Sequence, residues 1–125
     1  MSFATFIFGR IKAIGHASKG ALILLRTEAS IQMEAALVIL VTSAGFYFDI
    51  TATEWIAQTL CIGLIMGLEA MNTAAEAIAD FIHPDFHEKI GRIKDIAAGA
   101  VLITAFAAAV IGLIIYIPYI NSLFS

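Results

Sequence analysis

The chain has 125 residues, of which 61% are hydrophobic and only 14% charged, with a net charge of −3. Soluble domains sit nearer 45–50% apolar and about 25% charged, so this composition argues against a soluble globule and for a chain whose solvent is the bilayer. The net charge says little, because placement of charge matters more here than its sum; no nucleic-acid partner is expected, and the single Cys61 excludes an intrachain disulfide.

From Met1 to Arg26 apolar and basic residues are interleaved rather than ordered as a charged stub followed by a short apolar core, so no cleavable signal peptide is expected. Ile7, Ile11, Ile14, Ala21 and Leu25 recur at helical spacing, while Lys12, His16, Lys19 and Arg26 fall on another face. This predicts an amphipathic surface helix over 3–27, apolar side toward the membrane and cations toward the headgroups.

Three apolar blocks follow, with predicted spans over 31–48, 55–82 and 94–120. Each approaches the roughly 20 residues that a spanning helix needs, and hydrocarbon forces the backbone to satisfy its own hydrogen bonds. The expected fold is an all-α membrane protein, one domain over 1–125, with three transmembrane helices and the surface helix.

All seven basic residues lie in two places: Arg10, Lys12, Lys19 and Arg26 before the first span, and Lys89, Arg92 and Lys94 between the second and third. Three spans put both regions on one side, and the positive-inside rule makes that side cytoplasmic, as is the N-terminus. Trp55, Tyr116 and Tyr119 are expected as anchors at the opposite interface. His83-Pro84 should end the second helix, and Gly91 allows a turn before the third.

The second span carries the chemistry. Glu69, Asn72, Glu76 and Asp80 share one helical stripe about 80° wide. Trp55 to Glu69 is about 21 Å of helical rise, which leaves Glu69 just inside the hydrocarbon edge. Glu28 and Glu34 approach the same level from the first span, and Lys94 and Asp95 from the third. Ionisable groups at that depth face an interior and mark function. Clustered acids need cations, either Lys94 or Mg²⁺, so the stripe reads as a metal–phosphate site open to the cytoplasm. No P-loop, G-x-G-x-x-G or protein-kinase motif is present. Spacing alone therefore fits a small cation- or proton-coupled transporter as well as an enzyme.

The run Glu69-Ala70-Met71-Asn72-Thr73-Ala74-Ala75-Glu76-Ala77-Ile78-Ala79-Asp80 resembles the signature of the prokaryotic diacylglycerol kinase family. His87-Glu88, Gly91-Arg92 with Lys94-Asp95, and Ala97 to Ile103 continue the match, and Lys12-Ala13, Gly15, Lys19-Gly20 and Glu28-Ala29 extend it upstream. The resemblance implies an ATP-dependent lipid kinase of the bacterial inner membrane, a homotrimer with composite sites between subunits. By position it implies Glu28 and Glu76 as Mg²⁺ ligands, and Glu69 as the general base toward the lipid hydroxyl. It further implies Asn72 as an orienting group, Lys94 at the phosphates, and Arg10, Asp85, His87 and Asp95 at the nucleotide. Arg10 precedes Lys12 by two residues, where the Gram-negative type has three. Thr53-Glu54-Trp55 and the ending Gly112 to Pro118 look more like undecaprenol kinases, which leaves the acceptor open between diacylglycerol and undecaprenol.

Overall fold

The computed structural model describes residues 1–125 and contains four α-helices and no strand: α1 (Phe3–Thr27), α2 (Ala29–Phe48), α3 (Ala52–Ile82) and α4 (Glu88–Leu123). The last three are long and apolar enough to cross a membrane. At 1.5 Å per residue α3 and α4 run about 46 Å and 54 Å, well past a hydrocarbon core of about 30 Å, so each carries several turns into the headgroups or water. Only six of the 125 residues are buried, and Leu, Ile, Phe and Met side chains are exposed along every helix. In water that surface would drive aggregation; against lipid or other subunits it is the expected exterior.

Local signals explain the boundaries. Ser2 caps α1, its Oγ accepting from Thr5 N–H at 3.2 Å. Glu28 ends α1 and opens α2 in extended geometry, so the chain bends there, and Gln32 Nε2 donates back to Leu25 O at 3.1 Å across the bend. α2 ends in a Schellman turn: Ile50 N–H donates to Gly45 O and Asp49 N–H to Phe46 O, with Asp49 left-handed at φ 52°. α3 opens with a capping box between Thr51 and Glu54 and stops at His83, before Pro84.

Two details differ from the sequence reading. Gly91 lies inside α4 rather than in a turn, because His87 caps the helix earlier through its imidazole. α4 runs to Leu123, three residues past the predicted 120, with Pro118 inside it. Near a helix terminus the single hydrogen bond that proline removes is not enough to stop it.

Packing is uneven. α3 and α4 form the main helix pair, whereas α2 meets α3 over a smaller interface and α1 packs chiefly on α2. The α2–α3 junction is held at the end opposite the carboxylates. There the edge of the Trp55 indole abuts Gly45, and its ring centroid lies 4.9 Å from that of Phe46. Buried Gln58 donates to Val41 O at 3.2 Å, and the single Tyr116 Oη proton is shared between Val41 O, at 3.0 Å, and Gln58 Oε1. Tyr119 Oη donates to Glu54, whose carboxylate also accepts from Thr51 N–H at 3.0 Å. This polar clasp joins three helices in a setting where unpaired groups are costly. Below it, α2 stands away from α4 and leaves an apolar cleft of about 390 Å³ that runs from Tyr116 to Glu34.

Candidate active site

The signature residues project from the inner half of α3. Regular helix, fixed by an alanine-rich run with no breaker before His83, sets their stripe. Glu69 and Asn72 are partly buried, while Glu76 and Asp80 are exposed. Asn72 Nδ2 donates to Glu76 Oε1 at 3.4 Å, a long bond that leaves the second oxygen of Glu76 to another partner.

Two buried polar atoms here have no partner at all: Asn72 Oδ1 and Glu34 Oε2. Such atoms cost about 1–3 kcal/mol each when left unmade, and native structures keep few of them outside functional sites. Glu34, on α2, also lies within electrostatic reach of Glu69, on α3. Two carboxylates within reach of each other at membrane depth repel unless a proton or a cation screens them. Glu34 has no assigned role in the sequence reading. Its signal was visible, a carboxylate six residues into an apolar span on the Glu69 side.

Lys94 meets Asp80 at 2.6 Å, joining α4 to α3 across the loop. The lysine expected at the phosphates thus has a resident carboxylate, a partner that spacing alone did not indicate. The pair is a third to a half exposed, so solvent screens it and an incoming phosphate can compete for the ammonium.

The remaining expected residues are spread out. Glu28 sits at the α1–α2 bend with only Thr27 Oγ1 near it, at 3.5 Å. Arg10 is exposed on α1 with its guanidinium 5.4 Å over its own Phe6 ring. Asp95 is exposed at the start of α4, one residue from Lys94. Asp85 and His87 occupy the short α3–α4 loop with His83, around a small cleft that Lys94 also lines. One protomer therefore gathers Glu34 with Glu69, Asn72 with Glu76, Asp80 with Lys94, and the loop histidines. It does not gather Glu28 and Arg10 with them, and no three His, Cys, Asp or Glu side chains converge on a metal site.

The prokaryotic diacylglycerol kinase family model matches residues 15–116, which spans the bend, the α3 stripe, the loop and most of α4. The chain belongs to this family. It is 37% identical over 107 residues to an undecaprenol kinase of Bacillus subtilis, covering 86% of this chain and 87% of the relative. It is 33% identical over 100 residues to the diacylglycerol kinase of Escherichia coli K12, covering 80% and 82%. A diacylglycerol kinase of Synechocystis is 38% identical over 88 residues, covering 69% of this chain and 49% of its own length. Membership makes the chain a multi-pass membrane lipid kinase, with ATP the co-substrate that a kinase implies. Neither the fold nor any relative supports the transporter alternative.

Proposed function

We propose that the chain transfers the γ-phosphoryl group of ATP to the hydroxyl of a membrane lipid alcohol at the cytoplasmic face of the bacterial inner membrane. The observation that carries this is the pair of unpartnered buried oxygens on neighbouring helices, Asn72 Oδ1 in the α3 signature and Glu34 Oε2, the latter lining one end of an apolar cleft and within electrostatic reach of Glu69. A lipid alcohol brings both parts such a place lacks, a hydrocarbon tail and a hydroxyl to hydrogen-bond.

In this reading Glu69 takes the proton of the lipid hydroxyl as its oxygen bonds to the γ-phosphorus. The bond from that phosphorus to the β–γ bridging oxygen breaks, and ADP leaves with the electron pair. Asn72 holds the neighbouring carboxylate Glu76 in place through its Nδ2. Lys94, released from Asp80, neutralises phosphate charge. Phosphoryl transfer asks mainly for positioning and charge neutralisation, which these groups supply.

Mg²⁺ fits the donor set. It is a hard cation that accepts one or two carboxylates and completes its shell with phosphates and water, so the single carboxylates of Glu28 and Glu76 suffice without a three-acid cluster. Bound there it would screen the phosphate charge. Glu28 and Arg10 lie apart from the α3 stripe within one protomer. A homotrimer in which a neighbour's α1–α2 bend meets this stripe would complete the site. In that assembly α1 lies on the membrane surface, its cations on the cytoplasmic side with Lys89, Arg92 and Lys94.

Two acceptors fit, undecaprenol and diacylglycerol. The Bacillus relative and the clasp, built from stretches that resemble undecaprenol kinases, favour undecaprenol. The test is purified protein in mixed micelles with radiolabelled ATP, Mg²⁺ and each lipid side by side. Label in undecaprenyl phosphate is the expected result; label in phosphatidic acid moves the assignment to diacylglycerol. No lipid-borne label from either refutes the kinase reading.

A further inference from the structure

The cleft between α2, α3 and α4 is a single lane with two unlike ends. At the inner end Glu34 brings a buried carboxylate oxygen that has no partner. At the outer end stand Gln58 and Tyr116, their polar groups engaged with each other and with Val41 O. Between the ends the walls are apolar: Val38 on α2, Ile62 and Ile65 on α3, Ala105 and Ala108 on α4. The α4 wall is made of small side chains, and at Gly112, further along it, a Cβ would meet nothing within 4 Å. From Ala105 to Tyr116 the helix rises about 16 Å. An extended chain advances about 1.2 Å per bond, so the lane takes about 13 bonds. Its volume of about 390 Å³ holds a similar number of methylene-sized groups at about 30 Å³ each.

We propose that this cleft selects the acceptor by its chain, taking one methyl-branched isoprenoid chain over about three isoprene units, with Ala108 giving the width that the branches need. The inference rests on the kinase reading above and adds to it the class of acceptor. A membrane lipid leaves hydrocarbon for hydrocarbon, so no transfer from water favours one acceptor, and fit decides. The lane has the volume of one chain, and a diacylglycerol brings two. An ionised carboxylate accepts from a hydroxyl but cannot donate to an ester carbonyl, so the esters of a diacylglycerol would enter unpaired. A prenol has one hydroxyl for Glu34, one chain for the lane and no other polar group. The rest of a longer polyprenol turns out into the membrane before the clasp.

The test supplies the full chain, in mixed micelles with Mg-ATP, with geraniol, farnesol, geranylgeraniol or undecaprenol, and with 1-dodecanol as the unbranched counterpart of farnesol. From geraniol to farnesol kcat/KM should rise about tenfold, then level off within about twofold once the lane is full, with 1-dodecanol and diacylglycerol below farnesol. Ala108→Val should raise the KM for farnesol about tenfold, the usual effect of a methyl group in an apolar pocket, and leave 1-dodecanol and the KM for ATP nearly unchanged. Cys61 is the single thiol, lines the same lane and is partly exposed. Saturating farnesol should therefore slow its alkylation by N-ethylmaleimide, with no turnover needed. Lipid phosphorylation with farnesol and 1-dodecanol used equally, or with farnesol unaffected by Ala108→Val, overturns this proposal alone. So does a Cys61 that farnesol does not protect, or one that fails to react even without alcohol because another subunit fills the cleft. Protection of Cys61 with no alcohol phosphorylated defeats the kinase reading and leaves the chain site standing.

Discussion

Gly45→Ala tests the clasp that holds α2 to α3. A Cβ at Gly45 would lie 2.6 Å and 2.8 Å from two ring carbons of Trp55 and 3.2 Å from Ile50 Cδ1, the first two closer than carbon atoms tolerate. The indole is wedged between Gly45 and Phe46, so relief requires moving a ring or the helix. Overpacking of this kind costs about 1–3 kcal/mol. Against it stands a gain of at most about 1 kcal/mol, because alanine is the better helix former even in the last turn of α2. The net expectation is a loss of up to about 2 kcal/mol. The sign should reverse in a Trp55→Ala background, where the two closest contacts are gone and the flexible Ile50 Cδ1 need give only a few tenths of an ångström, leaving up to about 1 kcal/mol of stabilisation. Reversible unfolding of the micelle-solubilised protein in mixed detergent, run on the four members of this cycle, measures both numbers. A loss of equal size in both backgrounds would show that Trp55 is not the obstacle and would refute the close-packed junction.

Other expectations concern the site and the clasp. Glu69→Gln should keep the fold and nucleotide binding but lower turnover by about 10²–10⁴, the usual contribution of a general base; near-normal single-turnover rates would remove Glu69 from that role. Glu28→Gln and Glu76→Gln should each raise the Mg²⁺ concentration needed for half-maximal rate, and an unchanged metal titration in both would count against them as ligands. Tyr116→Phe strips the hydroxyl that donates to Val41 O and Gln58 Oε1, and should cost about 1–3 kcal/mol in the same unfolding assay while leaving the KM for ATP alone.

The histidine loop shows where pattern reading stops. That Pro84 halts α3 at His83 follows from local sterics and was legible in the sequence. That His87 would replace a conventional hydroxyl or carboxylate cap, and so draw Gly91 into α4, was not, because imidazole caps carry no sequence signature of their own. Asp80 and Lys94 stand 14 positions apart on different helices, and their contact depends on how the loop folds. The clasp is similar: Gln58 reads as a polar interruption in an apolar run, and only the packing of three helices reveals that Val41 and Tyr116 satisfy it.

Helix number, membrane residence and the single stripe of Glu69, Asn72, Glu76 and Asp80 were determined by the sequence alone. Apolar length, helical period and the hydrogen-bonding demand of hydrocarbon are local constraints that need no tertiary partner. Tertiary structure decided which polar atoms are satisfied and which are not. It brought Glu34 within electrostatic reach of Glu69, gave Lys94 its carboxylate and left α2 splayed from α4 above an apolar cleft. Those outcomes depend on helix crossing and close approach between residues distant in the chain, which no periodicity within one segment encodes.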